Sequence, residues 1–288
     1  MVKYNNMHKD KSKKPQLSVV IGSYNRLKYL KMTIETLRVE VNSINHEIII
    51  VDGGSTDGSL KWLLEQKDII TVVQHNRGEW QRKQIERKSW GYFMNLGFKI
   101  AQGKYLCMLS DDCLVIPGAI KNGIKLFDDE LSKRKKIGAV AFYWRNWPDQ
   151  VKYWVGYSFG DRMFVNHGIY LRKAMVEVAF CNEDDYFFYH ADGDLCQKIW
   201  EHGYIVIDAP GSYIEHYADA NLSVRTSNYT KQKQDWKTYE DKWLRYGQPK
   251  RDWKEKSFDD KSNTARKYFG NPDTRLAYKK VVNKIRSK

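Results

Sequence analysis

The sequence has little cysteine and no arrangement of cysteines that builds a framework. The four cysteines in 288 residues are Cys107, Cys113, Cys181 and Cys196. They form no Cys-x-x-Cys pair, and they lie within or beside apolar runs, which argues against a zinc site or a disulfide-stapled fold. We therefore expect buried, reduced thiols, as is usual in a cytosolic protein.

Long apolar runs are also missing. No window approaches the roughly 18 consecutive apolar residues that a membrane-spanning helix requires. The first residues are charged and contain no apolar stretch, so residues 1–16 are interpreted as a basic lead-in rather than a signal peptide. These absences favour a cytoplasmic location.

Two common phosphate-binding motifs are absent as well. The chain contains no Gly-x-x-x-x-Gly-Lys-Ser/Thr loop, and no Gly-x-Gly-x-x-Gly follows its first predicted strand. The first absence excludes a P-loop protein. Any nucleotide site must therefore be built from other residues.

Basic residues outnumber acidic ones, 49 to 35, which gives a formal charge of +14. Such an excess predicts attraction to polyanions, which include nucleic acids, anionic lipids and phosphate-bearing small molecules. A basic nucleic-acid-binding protein is therefore one alternative. Because no helix-turn-helix, RRM or zinc-finger signature is present, we expect no specific nucleic-acid partner.

Short apolar runs alternate with amphipathic helical stretches along the first part of the chain. The predicted strands of this part cover residues 17–22, 47–51, 69–73 and 105–109. Further strands are predicted at 138–143, 163–170, 204–207 and 212–216, with a helix at 192–202. This order predicts an α/β fold with a mostly parallel, doubly wound sheet and helices on both faces.

Polar and acidic residues follow three of these strands directly. Ser23–Arg26 follow the first strand, Asp52–Ser59 the second, and Asp111 and Asp112 the fourth. The carboxyl ends of parallel strands form the ligand-binding edge of such a sheet. Each acid could instead start a turn. However, two adjacent acids directly after an apolar strand favour a hard divalent cation, Mn²⁺ or Mg²⁺, bound together with substrate phosphates.

Four segments of the chain resemble family 2 glycosyltransferases with the GT-A fold. The segments are SVVIGSYNR (18–26), EIIIVDGGSTDGS (47–59), MNLGFKIAQGKYLCMLSDD (94–112) and ADGDLCQKIWEHG (191–203). The resemblance implies transfer of a sugar, with inversion, from a UDP-, GDP- or dTDP-sugar. The acceptor would be a hydroxyl of a saccharide or of a lipid-linked molecule.

The resemblance also assigns roles to residues of this sequence. The residues implied in donor binding are Ser23, Tyr24, Arg26, Asp52, Gly54, Asp57, Arg77, Asn95 and Asp111. The metal is assigned to Asp112, and His216 at the end of the last strand is assigned as a further metal ligand or as a phosphate contact.

The catalytic base is sought at the start of the helix near residue 192. The family's Glu-Asp pair is replaced here by Ala191-Asp192, so Asp192 is the first candidate and Asp194 the second. The acidic segment 183–185 stays open as a third source. The replacement by Ala191 also keeps open a protein that binds nucleotide-sugars without transferring them. A nucleotidyltransferase that makes the donor is the nearest enzymatic rival.

The domain boundaries follow from these patterns. Residues 17–217 form the predicted GT-A domain, with a nucleotide-sugar-binding half (17–115) and an acceptor-side half (116–217). Residues 218–288 form a basic, aromatic-rich helical extension, whose helically spaced Trp and Tyr residues are expected to pack on the domain rather than to bind the acceptor. Its last residues, 275–288, suggest a second hypothesis of peripheral contact with an anionic membrane at the inner face.

Overall fold

The computed structural model describes residues 14–217 and 222–286. The predicted lead-in therefore lies outside the described residues except for 14–16. The strands are β1 (Leu17–Ser23), β2 (His46–Asp52), β3 (Ile69–Val73), β4 (Glu79–Trp80), β5 (Lys83–Gln84), β6 (Tyr105–Ser110), β7 (Cys113–Val115), β8 (Ile137–Trp147), β9 (Tyr153–Ser158), β10 (Arg162–Met163), β11 (Gly168–Leu171), β12 (Ile205–Tyr217) and β13 (Trp253–Lys256). The helices are α1 (Leu27–Val41), α2 (Ser59–Leu64), α3 (Trp90–Ile100), α4 (Ala119–Ser132), α5 (Arg172–Glu177), α6 (Ala191–Glu201), α7 (Leu222–Tyr229), α8 (Gln232–Trp243), α9 (Thr264–Phe269) and α10 (Pro272–Arg286).

One large sheet organises the described chain. Its main order is β10-β9-β8-β11-β6-β1-β2-β3, while β12 pairs with β8 and β7. The strands β6, β1, β2 and β3 are mutually parallel, and β11 pairs antiparallel with β6 and β8. This mixed, mostly parallel arrangement confirms the predicted α/β fold.

Helices cover both faces of the sheet, as the strand-helix alternation predicts. On one face, Leu30 and Ile34 of α1 pack with Phe127 of α4 against the strands. On the other face, Phe98 of α3 and Ile199 of α6 pack against the opposite side chains of the same strands. Burial of both faces explains why the parallel strands are apolar throughout.

The described part of the extension, residues 222–286, contains the helices α7 to α10 and, between α8 and α9, one short strand that the sequence does not predict. Strand β13 pairs antiparallel with β9 and so extends the sheet. The short run Trp253–Lys256 gives no clear strand period, and only its pairing partner makes it a strand. Helix α8 packs as expected, because Tyr239 and Trp243 are buried against Phe159 and Tyr186.

The cysteines and the lengths of the helices bear on two predictions from the sequence. All four cysteines are free and buried, as predicted. Within the part of the chain that the structure describes, no helix has both the length and the apolar character needed to cross a bilayer.

Candidate active site

A cavity of about 470 Å³ opens at the carboxyl ends of β1, β2 and β6. The parallel register brings these ends level, since Ser23 pairs with Asp52 and Gly22 pairs with Ser110. Eight of the thirteen predicted site residues line this cavity: Ser23, Tyr24, Arg26, Arg77, Asp111, Asp112, Asp192 and His216. The cavity therefore joins the loop after β1, the end of β6, the start of α6 and the end of β12.

A buried carboxylate pair forms one pole of the cavity. Asp111 and Asp112 are 3% and 2% exposed, so neither is a solvated turn residue. A single nitrogen of Arg26, Nη1, lies 2.7 Å from Asp111 Oδ1 and 2.7 Å from Asp112 Oδ2. Burial raises the pKa of Asp111, which Arg26 opposes and Asp112 reinforces. Two buried carboxylates are stable next to each other only when a cation compensates their charge, and the Arg26 guanidinium is that cation here.

His216 completes this pole. Its strand, β12, runs between β7 and β8, which places His216 opposite Cys113 on one side and Asn146 on the other. Its Nδ1 lies 2.7 Å from the Asn146 amide oxygen, a contact that favours the ring tautomer with a proton on Nδ1. The lone pair on Nε2 then faces Asp112 Oδ1 at 3.2 Å.

These atoms fit a divalent metal ion. Asp112 Oδ1 and His216 Nε2 both carry lone pairs, and at 3.2 Å they repel each other unless a proton or a cation lies between them. The ligand atoms of Asp112, Cys113 and His216 all lie within 4.8 Å of one another. Carboxylate oxygen and imidazole nitrogen together suit Mn²⁺ or a related ion, and the amide behind His216 orients its ring in the manner of an outer-shell partner.

Asp192 lies in the wall of the same cavity, in the first turn of α6. Its Oδ1 accepts a 2.9 Å hydrogen bond from the Gly193 N–H, and its Oδ2 lies 3.5 Å from the Asn166 amide nitrogen. Burial raises the pKa of Asp192, although the Gly193 N–H and the nearby His190 oppose the shift. The carboxylate is thus oriented and is a stronger base than an exposed aspartate.

Asp52 and Asp57 are held by their own loop instead of facing the cavity. Asp52 is fully buried, and its carboxylate accepts hydrogen bonds from the backbone of Gly54 and Ser55 and from the Ser55 hydroxyl. Asp57 accepts from the N–H groups of Leu27 and Ser59 at 2.9 and 3.0 Å, where α1 and α2 begin. Both therefore shape the donor-side loop, and their assigned contact with a nucleotide stays a prediction.

Gly54 and Asn95 also lie outside the cavity wall. Gly54 has a φ of +84°, and a side chain there would meet the His75 ring at 2.4 Å. Asn95 is buried and binds the Cys181 backbone and the Glu183 carboxylate. These contacts stabilise loops next to the site.

Asp194 and the acidic segment 183–185 are placed away from the cavity as well. Asp194 is fully buried and binds Trp243 Nε1 at 2.9 Å and Lys242 Nζ at 2.8 Å, which ties α6 to α8. Glu183 pairs with Lys99 at 2.6 Å. Among the three candidate sources of a base, Asp192 is the one in the cavity wall.

Several cavity residues escape sequence reasoning. Arg87 and Asn228 line the wall, one from the segment after β5 and the other from α7. The long spacer between residues 78 and 90 carries four basic residues, which is a signal for an anion near this segment but does not single out Arg87. Nothing in the local sequence connects Asn228, about 140 residues further along, to the same cavity.

Comparisons with known proteins agree with this geometry. Residues 18–150 match the family model described as glycosyl transferase family 2. An uncharacterised glycosyltransferase of Nostoc sp. is 29% identical over 113 residues, which are 39% of this chain and 33% of that protein. Escherichia coli chondroitin synthase is 28% identical over 108 residues, 36% of this chain and 14% of the synthase. The chain thus spans a third or less of these relatives.

Two solved structures share the fold at low sequence identity. The mannosyltransferase PcManGT from Pyrobaculum calidifontis, in complex with GDP-Man and Mn²⁺, has a TM-score of 0.56 at 16% identity and covers 83% of this chain and 66% of its own. Residues 1–349 of S. aureus TarS have a TM-score of 0.52 at 15% identity, covering 70% and 60%. Both comparisons identify the GT-A architecture.

Proposed function

We propose that this chain, which contains a family 2 glycosyltransferase domain with the GT-A fold, transfers a sugar from a nucleotide-diphosphate-sugar to an acceptor hydroxyl with inversion. The observation that carries the proposal is one cavity holding two different acidic centres. A buried pair, Asp111 and Asp112, lies beside His216, and a separate aspartate, Asp192, lies in the wall of the same cavity.

The acidic pair and His216 provide the donor pole. Asp112 and His216 would hold Mn²⁺ or Mg²⁺, which supplies charge neutralisation for the leaving diphosphate. The complex of the related-fold mannosyltransferase with Mn²⁺ supports manganese as the first ion to try. Arg26 now occupies the position between the two carboxylates, so we expect its guanidinium to turn to the diphosphate when the ion is bound.

Ser23 and Tyr24 extend the donor pole along the loop after β1. Ser23 is buried at the end of β1. The guanidinium of Arg77 lies over the Tyr24 ring, 5.2 Å from the ring centre. A nucleotide placed along this loop would present its diphosphate to Asp111 and Asp112. The nucleotide-sugar complexes of the two structural neighbours, with GDP-Man and with UDP-GlcNAc, support a donor of this class.

Asp192 is proposed as the base. Its carboxylate removes the proton of the acceptor hydroxyl while the hydroxyl oxygen bonds to the anomeric carbon. The bond from that carbon to the diphosphate oxygen breaks on the opposite face, and the electron pair leaves with the nucleoside diphosphate. A single in-line displacement of this kind inverts the anomeric configuration.

A thermal-stability panel tests the donor pole. UDP, GDP, dTDP and CDP are each added with and without Mn²⁺ to wild type, to Asp112→Asn and to Asp129→Asn, an exposed aspartate outside the cavity. We expect one nucleotide to stabilise wild type and the control only when Mn²⁺ is present, and to have no such effect on Asp112→Asn. Metal-independent stabilisation of all three proteins would contradict the assignment of the metal.

Transfer itself separates an enzyme from a protein that only binds the donor. Ala191, which prompted that alternative, is buried against the aromatic cluster of α8 and so has a packing role. With the best nucleotide-sugar, the release of nucleoside diphosphate is followed with water alone and with an array of saccharide acceptors. Binding without release under any condition would favour the inactive protein.

The membrane hypothesis for the end of the extension stays a prediction. In α10, Tyr278 and Val281 are exposed and Lys279 pairs with Asp149. Sedimentation with anionic and neutral vesicles, with and without residues 272–288, tests it directly. Equal sedimentation of both proteins would remove the hypothesis.

A further inference from the structure

One carboxylate of the extension holds three successive backbone N–H groups of the chain next to the cavity. Asp235 lies in α8 and is 1% exposed. Its Oδ1 accepts from the Phe187 N–H at 2.8 Å, and its Oδ2 accepts from the N–H groups of Phe188 and Tyr189, both at 2.9 Å. Successive N–H groups that point to one side form an anion-binding concavity. The anion here belongs to the chain itself, 46 positions after Tyr189.

Segment 187–189 leads directly to the proposed base. Phe188 and Tyr189 line the same cavity as Asp192. The Asp235 carboxylate is not one of the groups that line it, and it reaches the site through the backbone that it holds. A residue of the extension thus fixes a part of the cavity wall without facing the cavity.

Between this segment and Asp192 the chain passes through a left-handed conformation. His190, the residue before α6, has a φ of +66°, which is uncommon for a residue with a side chain and persists only where the surrounding structure holds it. Helix α8 supplies a second contact here, because the Tyr239 ring stacks on the His190 ring with centres 5.3 Å apart. The His190 carbonyl accepts from the Asp194 N–H at 2.8 Å, so its conformation sets the direction in which α6 begins.

We propose that Asp235 is a positioning residue for sugar transfer, which fixes the backbone entry to α6 and thereby the place of the Asp192 carboxylate. The inference rests on the proposed function, in which Asp192 is the base, and it gives the extension a role in the reaction beyond packing. Hydrogen bonds from backbone N–H groups to a carboxylate are stronger than those between neutral groups. The contact of Asp192 with Asn166 is long at 3.5 Å and holds the base only weakly. A displacement of about 1 Å can lower a rate by about 100-fold.

Asp235→Asn removes an acceptor while keeping the shape of the side chain. One carboxylate oxygen becomes an NH₂ group, which cannot accept a hydrogen bond. Depending on which way the amide turns, either one or two of the three N–H groups lose their acceptor. Asp194→Asn is the matched control, because Asp194 is also fully buried between α6 and α8 but binds side chains of α8 instead of segment 187–189.

Transfer is measured per folded molecule as release of nucleoside diphosphate from the UDP-, GDP- or dTDP-sugar that wild type uses. Affinity for the same nucleoside diphosphate with Mn²⁺ is measured by calorimetry. We expect Asp235→Asn to lower kcat at least tenfold and to keep nucleotide affinity within twofold, because other elements form the donor pole. The control should keep both within twofold. A purely structural role would lower the folded fraction but not kcat per folded molecule.

A second variant keeps the test decisive if Asp235→Asn does not fold. Asp235→Glu retains the carboxylate on a longer side chain, so it displaces segment 187–189 without leaving its N–H groups unpaired. We expect this variant also to lower kcat at least tenfold at unchanged nucleotide affinity. Wild-type kcat in either folded variant would overturn the proposal.

Hydrogen exchange separates a failure of this proposal from a failure of the proposed function, since it requires no sugar transfer. We expect the amides of residues 187–192 to exchange at least tenfold faster in Asp235→Asn than in wild type, and those of segment 187–189 to stay protected in the control. A wild type that transfers no sugar would refute the proposed function, while exchange would still show whether Asp235 holds the segment. Unchanged exchange in folded Asp235→Asn would overturn the positioning role even in an active enzyme.

Discussion

Replacing Asp192 by asparagine removes the proposed base while leaving its surroundings almost unchanged. The two side chains have nearly the same shape, and the asparagine oxygen can keep the 2.9 Å hydrogen bond from the Gly193 N–H. Its amide nitrogen then faces Asn166, whose present contact with Asp192 is long at 3.5 Å. We therefore expect a stability loss of about 0.5–1.5 kcal/mol, the usual net value of one hydrogen bond.

The effect on transfer should be far larger. General-base catalysis contributes about 10²–10⁴-fold, which corresponds to about 2.7–5.4 kcal/mol of barrier height. Because burial raises the pKa of Asp192, wild-type kcat/KM should fall as the pH drops through a value above the ordinary aspartate range. Asp192→Asn should lose that acidic limb, since the amide does not titrate.

The assay follows nucleoside diphosphate release from the best donor across pH, with nucleotide affinity measured in parallel. Asp194→Asn is the matched control, because Asp194 is close in sequence but buried between Trp243 and Lys242. The control should lose about 1.5–3 kcal/mol of stability for a weakened charged hydrogen bond, yet retain activity per folded molecule. If Asp192→Asn keeps more than a tenth of wild-type kcat, the assignment of the base is refuted.

Three further predictions concern the metal pole and the core. His216→Ala should weaken Mn²⁺-dependent nucleotide binding, and Asn146→Ala, which only releases the His216 ring, should lower metal affinity by about 10–100-fold. Calorimetry with and without Mn²⁺ measures both effects, and unchanged affinities would exclude His216 as a ligand. Glu215→Ala leaves the Arg145 guanidinium without its fully buried partner at 2.7 Å, so chemical denaturation should show a loss of about 3–5 kcal/mol, and a loss below 1 kcal/mol would contradict this. The four buried cysteines should resist an aqueous thiol reagent until the protein unfolds, because burial raises the pKa of these thiols; fast labelling of the native protein would be inconsistent with the fold.

Local patterns in the sequence were enough to place the sheet and the donor pole. The strand expected at 17–22 is Leu17–Ser23, and the strand expected at 105–109 is Tyr105–Ser110. Buried parallel strands are short apolar runs between helical stretches, so their order can be read without any contact information. Since the carboxyl ends of such strands share one edge, the proximity of Arg26 to Asp111 also follows from the order of elements.

Tertiary contacts alone decided which acids face the cavity. Asp52 and Asp112 both follow apolar strands, yet Asp52 turns its carboxylate into its own loop while Asp112 faces His216. An aspartate at a strand end can accept backbone N–H groups or face a ligand, and nearby sequence does not distinguish the two states.

The same limit applies to the extension and to the contact between Arg77 and Asn228. Strand β13 forms by pairing with residues 153–156 of β9, and Asn228 reaches Arg77 across 151 positions of the chain. Strand pairing and side-chain contacts between distant segments depend on how the whole chain packs, whereas the helical and strand periods that a sequence displays are local. The sequence by itself therefore determined the sheet and its ligand-binding edge, and only the packed structure decided which side chains form the wall of the site.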